Sequence, residues 1–258
     1  MGKPLIVADR CKPSAPRGAT PPPGLRISQF LARCGLGARR VCEDLVRAGR
    51  VTLNGAVCTN LATRVVPEHD AVCLDGRPLA AQAKLYLALH KPPGYTCSAQ
   101  DAHAGHLVGE LLPPGRPRLF TVGRLDRDSE GLILLTNDGD FAQRLAHPSH
   151  GVEKTYRIDV QGHVTPAGLR RMTEGIRDDG ETLRVNAARV AEALPGGAVL
   201  EVRLGEGRKR EIRRLCRACG WTVHRLIRLA VGPVTLGALA PGQWRSLTGA
   251  ELEALGRR

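Results

Sequence analysis

Gly123-Arg124-Leu125-Asp126-Arg127-Asp128-Ser129-Glu130-Gly131-Leu132-Ile133-Leu134 places Arg124 and Asp126 two positions apart in a glycine-bounded segment, which then runs into the apolar stretch Leu132 to Leu135. So short an apolar run reads as a buried strand. Asp126 is therefore expected on a loop anchored by a rigid strand, a common setting for chemistry. Spacing alone fits a polar hairpin turn with solvated charges equally well, so the rest of the chain has to decide between the two.

Working outward, 258 residues suit one large domain or two. The 38 Lys and Arg against 25 Asp and Glu give a net charge of +13, which favours an anionic partner, most simply nucleic acid. A membrane surface ranks lower because no amphipathic helix sets bulky aromatics opposite a basic face. No apolar stretch is long enough to span a bilayer, and Met1 to Arg10 lacks the pattern of a secretion signal, so a cytoplasmic location is expected. Of eight cysteines only Cys216 and Cys219 form a C-x-x-C. With no matching second pair a zinc site is not expected, and the thiols read as reduced.

Residues 1–24 contain six prolines, including Pro21-Pro22-Pro23, and almost no apolar periodicity, which reads as a disordered tail. From Leu25 the pattern changes. Leu25, Phe30, Leu31 and Cys34 mark a short helix ending at Gly35, and Val41, Leu45 and Val46 a second ending at Gly49. Asn54-Gly55 between β-favouring residues is a two-residue hairpin signal, and a third strand follows near Ala71 to Leu74. Seven arginines against Glu43 and Asp44 lie between Arg26 and Arg64. Arg39 and Arg40 fall at the start of the second helix, where free backbone N–H groups also attract phosphate. The plain alternative is a solvated basic face.

Leu25-Arg26 with Phe30-Leu31-Ala32, Gly35 with Ala38-Arg39-Arg40, and Ala48-Gly49-Arg50-Val51 with Asn54-Gly55 resemble the S4 RNA-binding module over residues 25–79. The resemblance implies binding to structured RNA, with Arg26, Arg33, Arg39, Arg40 and Arg50 as contacts.

A linker, 80–84, leads to a larger domain, 85–258. Strands are expected at Leu85 to His90, Leu119 to Val122, Gly131 to Leu135, Thr155 to Val160, Ala187 to Val190, Val199 to Leu204 and Val231 to Leu236. Helices are expected from Phe141 to Ala146, Pro166 to Thr173 and Arg210 to Cys219, with a capping box at Thr248 to Glu251 starting a last one. Many strands and few helices argue an α+β class with a mixed, mainly antiparallel sheet.

Three segments of this domain carry chemistry: the Asp126 turn; Glu153-Lys154-Thr155-Tyr156-Arg157-Ile158; and Gly205-Glu206-Gly207-Arg208-Lys209-Arg210-Glu211-Ile212-Arg213-Arg214-Leu215. Eight Lys and Arg lie between Arg208 and Arg228. In this order, with the S4-like segment upstream and Pro241-Gly242-Gln243-Trp244-Arg245 downstream, they resemble a ribosomal RNA pseudouridine synthase of the S4-bearing type. Residues 123–139 carry its most specific signature. By resemblance Asp126 is the catalytic aspartate, Tyr156 the tyrosine that stacks on the target uracil, and Arg213 the basic residue paired with the aspartate. Arg124, Lys91, Arg208 and Lys209 are implied RNA contacts. Ser129 stands where many members have threonine and Glu211 where many have glutamine.

The implied reaction makes sense of these residue types. Uridine loses its C1′–N1 bond, the uracil rotates, and a C1′–C5 bond forms. No electrons leave, so no cofactor or metal is called for. A carboxylate can attack, or stabilise positive charge at, the sugar carbon. A base lifted from its stack needs an aromatic platform, and a phenol can help move the C5 proton. The expected partner is ribosomal RNA or an assembling particle, met by a monomer. Large-subunit 23S rRNA is the expected substrate, with small-subunit 16S rRNA the alternative. A non-catalytic S4-type assembly factor would share the charge and the S4-like segment but has no use for Asp126, Tyr156 and Arg213 in these contexts. A glycoside hydrolase would use a carboxylate pair, yet aromatics for sugar binding make up only 3% of the chain.

Overall fold

The computed structural model describes residues 24–98, 104–147 and 151–256. The tail expected over 1–24 lies, but for Gly24, outside the described residues. The chain divides between Ala83 and Lys84 into two compact units. Gln82 belongs to the first, since its amide donates to the Arg33 carbonyl at 3.0 Å, so the expected linker 80–84 is partly held by that unit.

In the first unit, β1 (Leu25–Arg26) leads into α1 (Ile27–Arg33) and α2 (Arg39–Arg47), followed by β2 (Val51–Leu53), β3 (Ala56–Val57), β4 (Arg64–Val65), β5 (Val72–Leu74) and β6 (Arg77–Pro78). Asn54 and Gly55, both at positive φ, form the tight turn between β2 and β3. Four strands pair in the order β3-β2-β5-β6, and β1 pairs with β4. Ile27, Phe30, Leu31, Cys42, Val46, Val51, Val65 and Val72 form its core. The periodicity of the two helices thus follows from one apolar face each, turned onto a small sheet.

The second unit is built on a nine-stranded sheet. In chain order its elements are β7 (Tyr86–Lys91), β8 (Phe120–Val122), β9 (Glu130–Thr136), α3 (Gly139–Ala146), β10 (Lys154–Gln161), α4 (Pro166–Glu174), β11 (Ile176–Asp178), β12 (Glu181–Leu183), β13 (Ala187–Leu194), β14 (Gly197–Leu204), α5 (Glu211–Ala218), β15 (Thr222–Val231), β16 (Val234–Thr235), β17 (Trp244–Ser246) and α6 (Gly249–Ala254). The sheet order is β13-β14-β10-β15-β9-β7-β17, with β16 on β15 and β8 on β9. All these pairings are antiparallel except β15 with β9. The unbroken apolar run of β9 has a direct cause, because both sheet faces are covered. Ile133 and Leu135 pack on one side with Ile158, Leu200, Leu215 and Trp221. Leu132 and Leu134 pack on the other with Phe141, Leu145, Ile227 and Leu255. Continuous rather than alternating hydrophobicity is what such a strand requires.

One expected strand is corrected. The strand placed at Val231 to Leu236 is instead the ten-residue β15, which ends at Val231, followed by the short β16. His224, Arg225 and Arg228 interrupt the apolar pattern of β15 and hid it. The hairpin of β11 and β12 was also unread; it is only three residues a side and carries Arg177, Asp178 and Glu181.

Gly131 is the point at which β9 meets β15. Its φ is +105°, and a Cβ there would lie 2.4 Å from the Arg228 carbonyl oxygen and 2.6 Å from the Arg228 nitrogen, both backbone atoms. Gly131→Ala is therefore expected to destabilise the fold by at least about 2 kcal/mol, combining the left-handed backbone penalty with overpacking. Gly139→Ala, at an open site at the start of α3, should be neutral to slightly stabilising. Urea midpoints of the two variants check this, and equal midpoints would contradict it.

Candidate active site

A cavity of about 540 Å³ is lined by the turn before β9, by β10, by β15 and by the entry to α5. Asp126, Tyr156 and Arg213, at least thirty residues apart in sequence, all line it, together with Arg124, Arg208 and Lys209. Leu125, Leu204, Ile212 and Leu226 supply apolar lining. An apolar pocket with a few converging polar groups is the usual form of a ligand site.

The turn begins as β8 ends at Val122. Gly123 takes φ +70°, Leu125 anchors inward and is buried, and the Ser129 amide donates to the Asp126 carbonyl at 3.1 Å. Asp126 is half-buried, and its carboxylate accepts no hydrogen bond and makes no ion pair among the described residues, so its oxygens face the cavity unspent. Tyr156, on β10 between β14 and β15, is only 7% exposed. It therefore belongs to the core and lines the cavity at once. Its hydroxyl has no hydrogen-bond partner among the described residues.

Arg213 lies in the first turn of α5. The resemblance pairs it with Asp126, but in the structure its ion pair is with Asp128. Nη2 donates to the Asp128 carbonyl at 3.1 Å and lies 3.3 Å from Oδ2, while Nη1 reaches the Val223 carbonyl. Arg210 donates to both Asp128 oxygens at 3.1 Å each. Arg210 caps α5 in the left-handed region, φ 53°, a conformation that costs a non-glycine residue about 1–3 kcal/mol and that this bidentate pair holds in place. Burial would raise the Asp128 pKa, but the hydrogen bonds from Arg210 and the charges of Arg213 and Arg210 outweigh it and hold the carboxyl below its ordinary value. Thus Asp128 docks the turn onto α5 and leaves Asp126 free. In sequence the two aspartates are equivalent acids two residues apart, and only the turn's shape separates their roles.

Lys91 also departs from expectation. Expected on RNA, it is fully buried. Its ammonium donates to the carbonyls of Ser129 (2.6 Å), Pro92 (3.1 Å) and Arg127 (3.3 Å), using its whole donor set. Burial lowers its pKa, against the pull of Cys97, Asp128, Asp126 and Glu130. It shapes the turn from within and cannot meet a phosphate. Arg50, also expected on RNA, is engaged with Asp75 through two hydrogen bonds. Arg208 donates from Nε to Glu206. Arg124 and Lys209 hold exposed side chains at the cavity. In the first unit Arg26, Arg39 and Arg40 are exposed and Arg33 is half-exposed. Glu211, the departure from glutamine, is buried and accepts the Arg208 amide at 2.9 Å, with burial pushing its pKa up, so it serves the loop before α5. Cys216 is buried in the core and its thiol is pushed up to about 12 by burial, which makes it a packing residue.

A basic-rimmed cavity with one unspent carboxylate and an aromatic ring suits a base lifted from an RNA strand, and marks the class as RNA-modifying. Residues 85–218 match the RNA pseudouridylate synthase family and residues 25–72 the S4 domain. An uncharacterised RNA pseudouridine synthase of Mycobacterium tuberculosis (strain ATCC 25618 / H37Rv) is 42% identical over 245 residues, covering 93% of this chain and 96% of that one. Ribosomal large subunit pseudouridine synthase B of Bacillus subtilis (strain 168) is 33% identical over 232 residues, covering 89% and 95%. A pseudouridylate synthase crystal structure superposes with a TM-score of 0.63 at 29% identity, covering 90% of this chain and all of that one. The chain belongs to the RNA pseudouridine synthase family.

The Asp128 cluster carries a pH signature. A carboxyl whose folded pKa is depressed contributes stability that is present above its unfolded value, ordinarily 3.8, and lost as pH falls through the folded value. Asp128→Asn should therefore lower Tm at neutral pH, and the gap to the unmodified protein should close as pH drops below about 4. A gap of constant size down to acid pH would contradict the pairing.

Proposed function

We propose that this enzyme isomerises a uridine of large-subunit, 23S ribosomal RNA to pseudouridine, acting as a cytoplasmic monomer, with Asp126 at the sugar carbon. The observation that carries the reading is the unspent Asp126 carboxylate sharing a cavity with the ring of Tyr156. The large-subunit substrate is supported by relatives of that name in Bacillus subtilis and, at 37% identity, Vibrio cholerae. The S4 domain supports docking on structured RNA, with Arg26, Arg33, Arg39 and Arg40 as contacts.

In this reading the target nucleotide leaves its stack and the uracil lies against Tyr156, at an unstacking cost of a few kcal/mol. Arg124 and Lys209 hold flanking phosphates. Asp126 stabilises, or bonds to, C1′ as the C1′–N1 bond breaks. The detached uracil keeps the bonding electrons, turns within the closed space, and presents C5. The C1′–C5 bond forms, releasing the Asp126 carboxylate where it has bonded to C1′, the C5 proton leaves, and N1 ends protonated, so atoms and electrons balance within one nucleotide. In this reading the Tyr156 hydroxyl assists that proton. The protein's contribution is position and field, since nothing else enters or leaves.

Purified protein incubated with 23S and 16S transcripts should give pseudouridine in 23S alone, and Asp126→Asn should bind RNA normally while losing several orders of magnitude in rate. Near-normal turnover by that variant removes Asp126 from the chemistry. Modification of 16S alone replaces the substrate, and modification of neither favours a non-catalytic assembly factor.

Tyr156→Phe and Tyr156→Ala should differ. Phenylalanine keeps the ring and loses only the hydroxyl, so RNA affinity should hold while rate falls. Alanine should also weaken binding by about 1–3 kcal/mol, the scale of one base–aromatic stack. Equal affinities and rates for the two would place Tyr156 outside the site.

A further inference from the structure

Arg228 is among the most buried charged residues of the second unit, at 4% exposure, and it has no carboxylate partner among the described residues. Its neighbour on β15, Arg225, is paired with Glu130. Arg228 instead spends its guanidinium on backbone carbonyls: Nε donates to Leu132 at 2.7 Å and Nη1 to Arg124 at 3.5 Å, while Nη2 is buried without a partner. A buried cation that meets only neutral acceptors is an expensive choice for packing alone.

The two carbonyls it holds are informative. Arg124 begins and Leu132 follows the segment that carries Asp126, Asp128 and Ser129. Leu132 lies where β9 changes partners: Glu130 and Gly131 pair with β15, Leu134 to Thr136 pair with β8, and between them β9 has no strand on that edge. A ladder carbonyl at such a gap needs a donor from elsewhere, and Arg228 supplies it. Gly131, which admits no side chain against Arg228, brings the two strands close enough for this. On the other side of β15, Arg228 stands directly across from Tyr156 in the antiparallel register, and such cross-strand partners share a face. Its charge reaches Lys154, whose pKa is lowered first by burial and then by Arg228.

We propose that Arg228 is a positioning residue, which clasps the two ends of the Asp126 turn and fixes that carboxylate relative to the ring of Tyr156. It complements Lys91, which holds the middle of the same turn by the carbonyls of Arg127 and Ser129. The proposal rests on the reading of Asp126 as the reacting carboxylate. Displacing a reactive group by an ångström costs on the order of 100-fold in rate, without touching the groups that bind RNA.

Arg228→Ala and Arg228→Lys, compared with the full-length protein on the same 23S transcript, test it. The expected result for Arg228→Ala is a single-turnover rate lower by about 10- to 100-fold, an RNA Kd within about twofold of the original, and partial recovery of rate in millimolar methylguanidinium. Arg228→Lys, a point charge that can serve one carbonyl at a time, should lie in between. A folded Arg228→Ala or Arg228→Lys at full rate overturns the proposal. So does a loss confined to RNA affinity, or a loss in folded Arg228→Ala that methylguanidinium leaves unchanged. If Arg228→Ala does not fold, Arg228→Lys decides: a reduced rate at unchanged Kd supports positioning, and an unchanged rate refutes it. Asp126→Asn run alongside separates the two claims. Its retained turnover would sink the reading of Asp126, whereas an inert Asp126→Asn beside fully active Arg228 variants would sink only the clasp.

Discussion

The Lys91 ammonium, fully buried and bonded to three carbonyls, is the interaction on which the site depends. The segment between β8 and β9 has no ladder of its own, and a turn of free peptide groups beside a sheet core would be expected to seek water. Lys91 reverses that tendency by turning the carbonyls of Arg127 and Ser129 inward. The adjacent side chains are then left facing out: Asp128 towards α5 and Asp126 towards the cavity. A charge normally found on the surface is thus tolerated in the interior because its donors are all used.

Around this turn the other parts follow from sheet geometry. Covering both faces of the sheet produces the apolar run of β9, and that run carries the turn rigidly at its N-terminal end. Strand β10, in the interior of the same sheet, brings Tyr156 to the cavity from a position twenty residues beyond the end of β9. Helix α5 closes the site through Asp128, Arg210 and Arg213. Division of labour between two aspartates two residues apart lets one carboxylate spend its charge on structure while the other remains unpaired among the described residues.

Much of this was legible in the chain because it is locally encoded. The two amphipathic helices and the Asn54-Gly55 turn of the first unit depend on neighbours within a few residues, as does the capping box at Thr248 that starts α6. Asp126 and Tyr156 stood out through motif order. What was not legible depends on contacts between distant segments. Lys91 reads as a basic residue before a Pro-Pro-Gly turn, and nothing local says that the Ser129 carbonyl, 38 residues later, will accept its hydrogen bond. The partner of Arg213 could not be chosen between Asp126 and Asp128 by spacing. Strand β15 was missed because Arg225 and Arg228, which break its apolar pattern, meet Glu130 and the Leu132 carbonyl only in the assembled sheet.

The central claim is that this chain modifies large-subunit ribosomal RNA, and the most direct measurement is a pseudouridine map of all ribosomal RNA from cells lacking the protein, before and after its gene is restored. The account predicts that at least one 23S position reads as unmodified uridine in its absence and returns as pseudouridine on restoration, with the 16S pattern intact throughout. A complete 23S pattern in the deficient cells, or a loss confined to 16S, would contradict it.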